Sequence, residues 1–282
     1  MAKLRDTPIG VADLEEFVRE HDDFSLELDL FQHALQLNTN AEHGGTYVDP
    51  VTGRHRQFDL RIRIEAPNKL LLLAVECKNI GKNNPLLVSR IPRERDEAFH
   101  EVLHSYSHRA PGSIPGLPRD QAEVLKVSDQ GGLYPAGRPV GKSTAQVGRT
   151  LQGELTSADS ESYEKWSQAM SSAHDLVDRA VRGCELTQTR SCLAVVLPVL
   201  VLGDQTLWTA DYSASGSPIG QPKQAEEAEL FVDRSYFVGK QIRYRISHLH
   251  IFTRSRFREF LSDLVNAEAH LKKAFPFGLV PK

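Results

Sequence analysis

Gln57-Phe58-Asp59-Leu60-Arg61-Ile62-Arg63-Ile64-Glu65-Ala66-Pro67-Asn68-Lys69-Leu70-Leu71-Leu72-Leu73-Ala74-Val75-Glu76-Cys77-Lys78-Asn79 reads as two strands joined at a tight turn. From Gln57 to Glu65 the residues alternate. Phe58, Leu60, Ile62 and Ile64 take one face and Asp59, Arg61 and Arg63 the other, the period of a strand with one buried side. Ala66-Pro67-Asn68-Lys69 carries turn residues. Leu70 to Lys78 is apolar on both faces until its end, which predicts a central strand covered on both sides. A hairpin symmetric about the Pro67–Asn68 pair sets Asp59 opposite Glu76, with Cβ atoms about 5 Å apart. Lys78 follows two residues later on the same face and Cys77 points to the other.

Two carboxylates opposed on neighbouring strands destabilise a sheet unless something uses them. A divalent cation removes that penalty, because Mg²⁺ takes one or two carboxylates and fills its shell with water and phosphate. Such an ion activates water and neutralises phosphate charge, and a neighbouring lysine orients or deprotonates that water. The alternative reading is a cross-strand salt bridge in which Lys78 pairs with Glu76 or Asp59.

Working outward, Val11 to Glu20 and Phe24 to Leu37 read as helices, the second with Leu28, Phe31 and Leu35 at helical spacing and Ser25 near its N-cap. Gly44-Gly45 breaks the pattern, Thr46 to Val48 is a short strand, and Asp49 to Gly53 is a turn. Asn79 to Lys142 is irregular and reads as an insertion or lid. Within it Arg93 to His104 could form one helix, while Gly112 to Pro118 and Gln130 to Pro139 are loops. Ser160 to Val181 is a helix. Leu193 to Leu202, Thr206 to Tyr212, Glu229 to Val238 and Ile246 to Phe252 are strands, Ser213 to Glu227 a polar linker, and Phe257 to Lys273 a terminal helix. The order predicts an α/β or α+β chain with a central mixed sheet flanked by helices.

The 282 residues carry a net charge of -3 and a pI near 6.4, so the chain is no basic nucleic-acid coat. Arginines cluster locally, as at Arg54 and Arg56, which are candidate phosphate contacts. Cys77, Cys184 and Cys192 form no CxxC pair, which argues against a disulfide framework or a structural zinc site. No apolar stretch follows Met1 to Asp6, and the longest apolar run, Leu193 to Leu202, is too short to span a bilayer. A cytoplasmic protein is expected.

Gly44-Gly45-Thr46-Tyr47-Val48-Asp49-Pro50, Phe58-Asp59-Leu60 and Val75-Glu76-Cys77-Lys78-Asn79 together resemble the core of the PD-(D/E)xK, restriction-endonuclease-like nuclease superfamily. Glu76-Cys77-Lys78 matches the family's Glu-x-Lys and Asp59 its metal-binding aspartate, with Phe58 where the family usually has proline. The element order reads as one domain over residues 1–282, of which the resemblance covers Phe24 to about Val201. The family core of helix, three-stranded meander, helix and strand falls at about 24–80 and 141–202, with an insertion at about 81–140 and extra strands and a helix at 203–282. The resemblance implies a phosphodiester hydrolase acting on DNA, less readily on RNA, with Mg²⁺ or Mn²⁺ held by Asp59 and Glu76, in restriction, phage defence or repair. A second copy or a partner subunit is open.

The family often adds an acidic residue from the first helix, for which Glu27 is the candidate and Glu15, Glu16 and Glu20 the competitors. It also places a polar residue from the second core helix at the site. If that helix opens at Lys142 to Gln146, Lys142 and Gln146 are candidates for active-site or DNA contact.

Gly141-Lys142-Ser143-Thr144 resembles the end of a phosphate-binding loop, but Ala136 stands where that pattern needs glycine. His248 and His250 share a strand face, and His100, His104 and His108 a helical one. Either set could ligate metal, though hydrogen-bonded or exposed histidines are the plainer reading. The rival to a nuclease is a silent module of the same fold that binds nucleic acid or protein.

Overall fold

The structure is a computed structural model that describes residues 7–20, 22–49, 51–107, 120–128, 132–157, 160–187, 189–238 and 242–276. Met1 to Asp6, Pro50, His108, Gln130 and the loop from Gly112 to Pro118 lie outside the described residues.

Helix α1 (Val11–Glu20) precedes α2 (Phe24–Gln36), whose N-cap is the neighbouring Asp23 rather than Ser25. The buried face of α2 is Leu26, Leu30 and Ala34, roughly a third of a turn from the expected Leu28, Phe31 and Leu35 stripe. Leu35 is exposed and Phe31 packs at the edge of the core.

Strand β1 (Asn40–His43) is the first strand of the meander, although the sequence favoured Thr46 to Val48 for that place. Thr46–Val48 is β2, and with β3 (His55–Gln57) it forms a separate two-stranded hairpin. The short polar run of β1 carries no strand pattern, so tertiary pairing decides it. Gly44 turns the chain at φ +65, and Gly45 lies against the Phe58 ring, where a Cβ would come within 2.4 Å.

Next come β4 (Leu60–Ala66) and β5 (Lys69–Lys78). Their register pairs Leu60 with Val75 and Ala66 with Lys69, which centres the hairpin on Pro67 and Asn68 as the sequence implied. Asn68 takes φ 58, a left-handed conformation asparagine tolerates.

The stretch read as irregular is largely sheet. Strands β6 (Leu86–Pro92), β7 (Phe99–Ser107), β8 (Asp120–Ser128) and β9 (Pro139–Arg149) replace the expected helix over Arg93 to His104 and the expected helix start at Lys142. Buried Phe99, Val102 and Leu103 fit either period, and pairing of β7 with β8 and with a central strand settles it.

After β10 (Leu155–Ser157) come α3 (Ser160–Val181), at its expected bounds, and the short α4 (Gly183–Thr187). Then follow β11 (Ser191–Leu202), β12 (Leu207–Tyr212), β13 (Pro218–Gln224), β14 (Glu227–Val238) and β15 (Ile242–Thr253). The expected linker thus contains β13, exposed along its whole length. Two helices, α5 (Arg254–Asn266) and α6 (Glu268–Ala274), replace the single terminal one.

The fold is mixed α/β. One large sheet runs β1-β4-β5-β11-β15-β14-β9-β6-β12-β13 among the described residues. Strands β4 and β5 are antiparallel, while β5, β11 and β15 are parallel. Along one edge β11 pairs first with β7 and later with β15, and Pro198 falls in the interval 195–198 between those two registers. Odd-numbered residues of β5 (Leu71, Leu73, Val75, Cys77) pack with α2 and α5. Even-numbered Leu70, Leu72 and Ala74 pack with Met170, Ala173, Leu176 and Val177 of α3. That two-sided burial explains the unbroken apolar run of β5 and directs Glu76 toward α3. No described helix is long and apolar enough to cross a membrane.

Candidate functional site

The charged residues ending β5 meet the N-terminus of α2 and the first turns of α3. Asp59 immediately precedes β4, and its Oδ2 accepts the Cys77 backbone N–H at 2.8 Å, across the hairpin. The same oxygen accepts a hydrogen bond from Lys165 Nζ at 3.0 Å. Lys165 Nζ is also 3.6 Å from Asp23 Oδ2 and 3.9 Å from Glu76 Oε2. Lys78 Nζ lies 3.7 Å from Asp23 Oδ2. Asp23 Oδ1 accepts the Asn79 N–H at 2.6 Å, tying the start of α2 to the end of β5.

Glu76 is fully buried, and neither side-chain oxygen has a hydrogen-bond donor. Burial, then the Asp59 charge, push its carboxyl well above the usual carboxylate range, with Lys165 opposing. Burial works against charge on Lys165, but the Asp59 and Glu76 carboxylates outweigh it and hold the ammonium above the ordinary lysine value. Glu27 joins from α2, where its Oε2 is 3.0 Å from His43 Nε2. Burial and then Asp59 raise the Glu27 carboxyl. His43 rests against Phe31, with ring centroids 5.6 Å apart.

Asp22, Asp23, Glu27, His43, Asp59, Lys78 and Gln146 face a cleft of about 1020 Å³. Asp59, Lys78 and Glu27 therefore share this cleft, whereas Glu76 is not among the residues lining it and joins the group through Lys165, 3.9 Å away. Gln146 reaches the cleft from a strand rather than a helix, donating to the Asn84 carbonyl at 3.3 Å. Lys142 is not among the described residues lining it. Its ammonium pairs with Glu97 and lies over the Phe231 ring. Arg54 and Arg56 sit on the β2–β3 hairpin, Arg54 exposed and Arg56 2.6 Å from Asp49 Oδ2. Cys77 faces the core, where burial pushes its thiol up and removes it as a nucleophile.

The other sequence candidates resolve plainly. Gly141 to Thr144 lie within β9, with no loop to wrap a phosphate. His248 and His250 are buried and hydrogen-bonded, to Arg93 Nε at 3.1 Å and the Tyr134 hydroxyl at 2.7 Å. His104, on a strand, lies 2.9 Å from both Glu123 Oε1 and Ser191 Oγ. Among the described residues no group of three or more His, Cys, Asp or Glu has the geometry to hold a metal. The Asp59–Glu76 pair offers two hard oxygen donors, the type of ligand a divalent cation takes.

Two site residues escaped the sequence reading. Asp23, at the N-cap of α2, carries no sequence signal beyond that of a helix start. Lys165 left a signal: Ala169, Ser172 and Leu176 are buried at helical spacing, and Lys165 extends that stripe by one turn toward the strand ends. Neither the sequence nor the fold matches any family model, curated protein or solved structure compared with it.

Proposed function

We propose that this chain is a divalent-metal-dependent nuclease of the PD-(D/E)xK type that hydrolyses phosphodiester bonds, with DNA as the leading substrate. The observation that carries the reading is Glu76, a buried carboxylate with no donor on either oxygen, in register with Asp59 and two residues from Lys78. Such a group calls for a use, because no hydrogen bond offsets its desolvation and Lys165, 3.9 Å away, offsets it only in part. Two hard oxygen donors suit Mg²⁺ or Mn²⁺. The meander β1-β4-β5, followed by α3 and the parallel β11, supports the same reading.

Asp59 and Glu76 would hold the ion. When bound, it would neutralise phosphate charge and lower the pKa of a water molecule. Lys78, beside Asp23 at the cleft, orients the attacking water through its ammonium hydrogens. Glu27, oriented by His43, would accept a hydrogen bond from a water molecule in the cleft. Arg54 on the exposed hairpin contacts the phosphate backbone.

A second reading, a silent module of the same fold that binds nucleic acid or protein, is favoured by one observation: Lys165 already supplies a positive charge to Asp59 and Glu76. The test is cleavage of labelled duplex DNA, single-stranded DNA and RNA with Mg²⁺ or Mn²⁺, comparing wild type with Asp59→Ala and Lys78→Ala. Metal-dependent cutting abolished by both substitutions supports the nuclease. Cutting that survives both removes the site assignment. Nucleic-acid binding with no metal requirement and no cutting favours the module.

A further inference from the structure

Lys165 stands where a cation bridging Asp59 and Glu76 has to stand. Its Nζ is 3.0 Å from Asp59 Oδ2 and 3.9 Å from Glu76 Oε2, with Asp23 Oδ2 at 3.6 Å completing a ring of three carboxylates. This ammonium sits among carboxylates that would otherwise repel one another, and Glu76 is wholly shut from water. An ion ligated by oxygens of both Asp59 and Glu76 needs the same space, and two cations a few ångströms apart in a partly dry site repel strongly.

The supporting structure allows one to leave. Helix α3 is pinned two to three turns further on, where Arg61 Nε donates to Ser172 Oγ at 3.1 Å and Arg61 Nη1 to Asp175 Oδ2 at 2.7 Å. Lys165 itself ends in a compact charge on a flexible four-carbon stem, so it can swing away without moving the helix. A guanidinium would be bulkier and would grip a carboxylate through two hydrogen bonds.

We propose that Lys165 is a resident counter-cation that exchanges places with a divalent metal ion at the Asp59–Glu76 pair. The inference rests on the reading of that pair as a metal seat and adds a residue to it. Lys165 sets how tightly the ion is held, because each binding event has to displace the ammonium.

The test is Mn²⁺ binding to the full chain, measured by calorimetry without nucleic acid, for wild type, Lys165→Met and Glu76→Gln. A second readout uses wild type alone: the rate at which an amine-acylating reagent labels Lys165, followed by peptide mass spectrometry with and without Mn²⁺. Lys165→Met is expected to bind Mn²⁺ at least about tenfold more tightly than wild type, since the competing charge is gone. Glu76→Gln should abolish binding, and saturating Mn²⁺ should speed Lys165 labelling severalfold. If Lys165→Met does not fold, the labelling rate decides. Equal Mn²⁺ affinity with and without Lys165, or labelling unchanged at saturating Mn²⁺, overturns the exchange while leaving the metal seat intact. No Mn²⁺ binding sensitive to Glu76→Gln in any protein overturns the seat and the exchange together.

Discussion

Arg61 Nη1 lies 2.7 Å from Asp175 Oδ2, joining the strand that follows Asp59 to the helix that carries Lys165. Arg61 is almost wholly buried. Its guanidinium lies 4.1 Å from the Phe58 ring centroid and 5.0 Å from that of Tyr47. This one side chain thus braces the base of the β2–β3 hairpin, β4 and α3, and holds the helix backbone that carries Lys165 against the strand that follows Asp59.

Removing it strands a partner and opens a gap between sheet and helix. Arg61→Ala should cost about 3–5 kcal/mol of unfolding free energy, the range for breaking a buried pair. Asp175→Asn should cost less, because Asp175 is partly exposed and keeps a hydrogen-bonding oxygen. Urea denaturation checks both. A loss under 1 kcal/mol for Arg61→Ala would mean that apolar packing alone holds α3 in place.

Glu76→Gln should stabilise the fold while removing metal binding. A carboxyl whose folded-state pKa lies above its unfolded value of about 4.3 takes stability away as pH rises past that value. Glu76 is such a group, raised by burial and by Asp59. The amide carries no charge to desolvate, so the gain should be of order 1–2 kcal/mol at pH 8 and should vanish below pH 4. Thermal melts at both pH values measure it. A variant less stable than wild type at pH 8 would show that Lys165 more than offsets the burial of Glu76.

The hairpin was legible in the sequence because its signals agree: alternation in β4, a two-faced apolar run in β5, and turn residues between them. Its register placed Asp59, Glu76 and Lys78 without any tertiary information. Strand β1 was not legible, since Asn40 to His43 alternates exposed and half-buried positions without an apolar residue larger than alanine. Strand β7 was misread because Phe99, Val102 and Leu103 satisfy helical spacing, and only pairing with β8 and β11 selects the extended form. Lys165 was missed for a related reason. A lysine at a helix start reads as solvated until the strands it faces are known.

Glu27 should matter to catalysis more than to stability. It is half-buried beside Asp59 and held by His43, yet it makes no contact that the core depends on. Glu27→Gln keeps the shape and the His43 contact and removes the charge. Cleavage rate should fall about 10–100-fold, the range for groups that support metal-site ligands. The unfolding free energy should stay within about 1 kcal/mol, as for most partly exposed substitutions. Steady-state cleavage and urea melts run on the same preparation decide it. An unchanged rate would reduce Glu27 to a partner for His43.

Three buried histidines should make the fold acid-sensitive in a defined window. Burial lowers His100 and His250 to about 4 and His248 to about 2, Arg93 adding to the effect at His248. Each is neutral in the native state and protonates in the unfolded chain near pH 6.5. The unfolded state therefore binds more protons between these values, so stability is complete above pH 6.5 and falls steadily as pH drops toward 4. Two and a half pKa units correspond to roughly 3 kcal/mol for His100 or His250 by pH 4. On β15, His248 meets Tyr134 and Arg93 and His250 meets the Tyr134 hydroxyl, so protonation of this group should loosen that contact first. His100→Gln keeps a donor for the Ala274 carbonyl and cannot titrate, so its melting temperature should fall less than that of wild type between pH 7 and pH 4.5. Parallel acid-induced loss in the two proteins would place the acid sensitivity elsewhere than at His100.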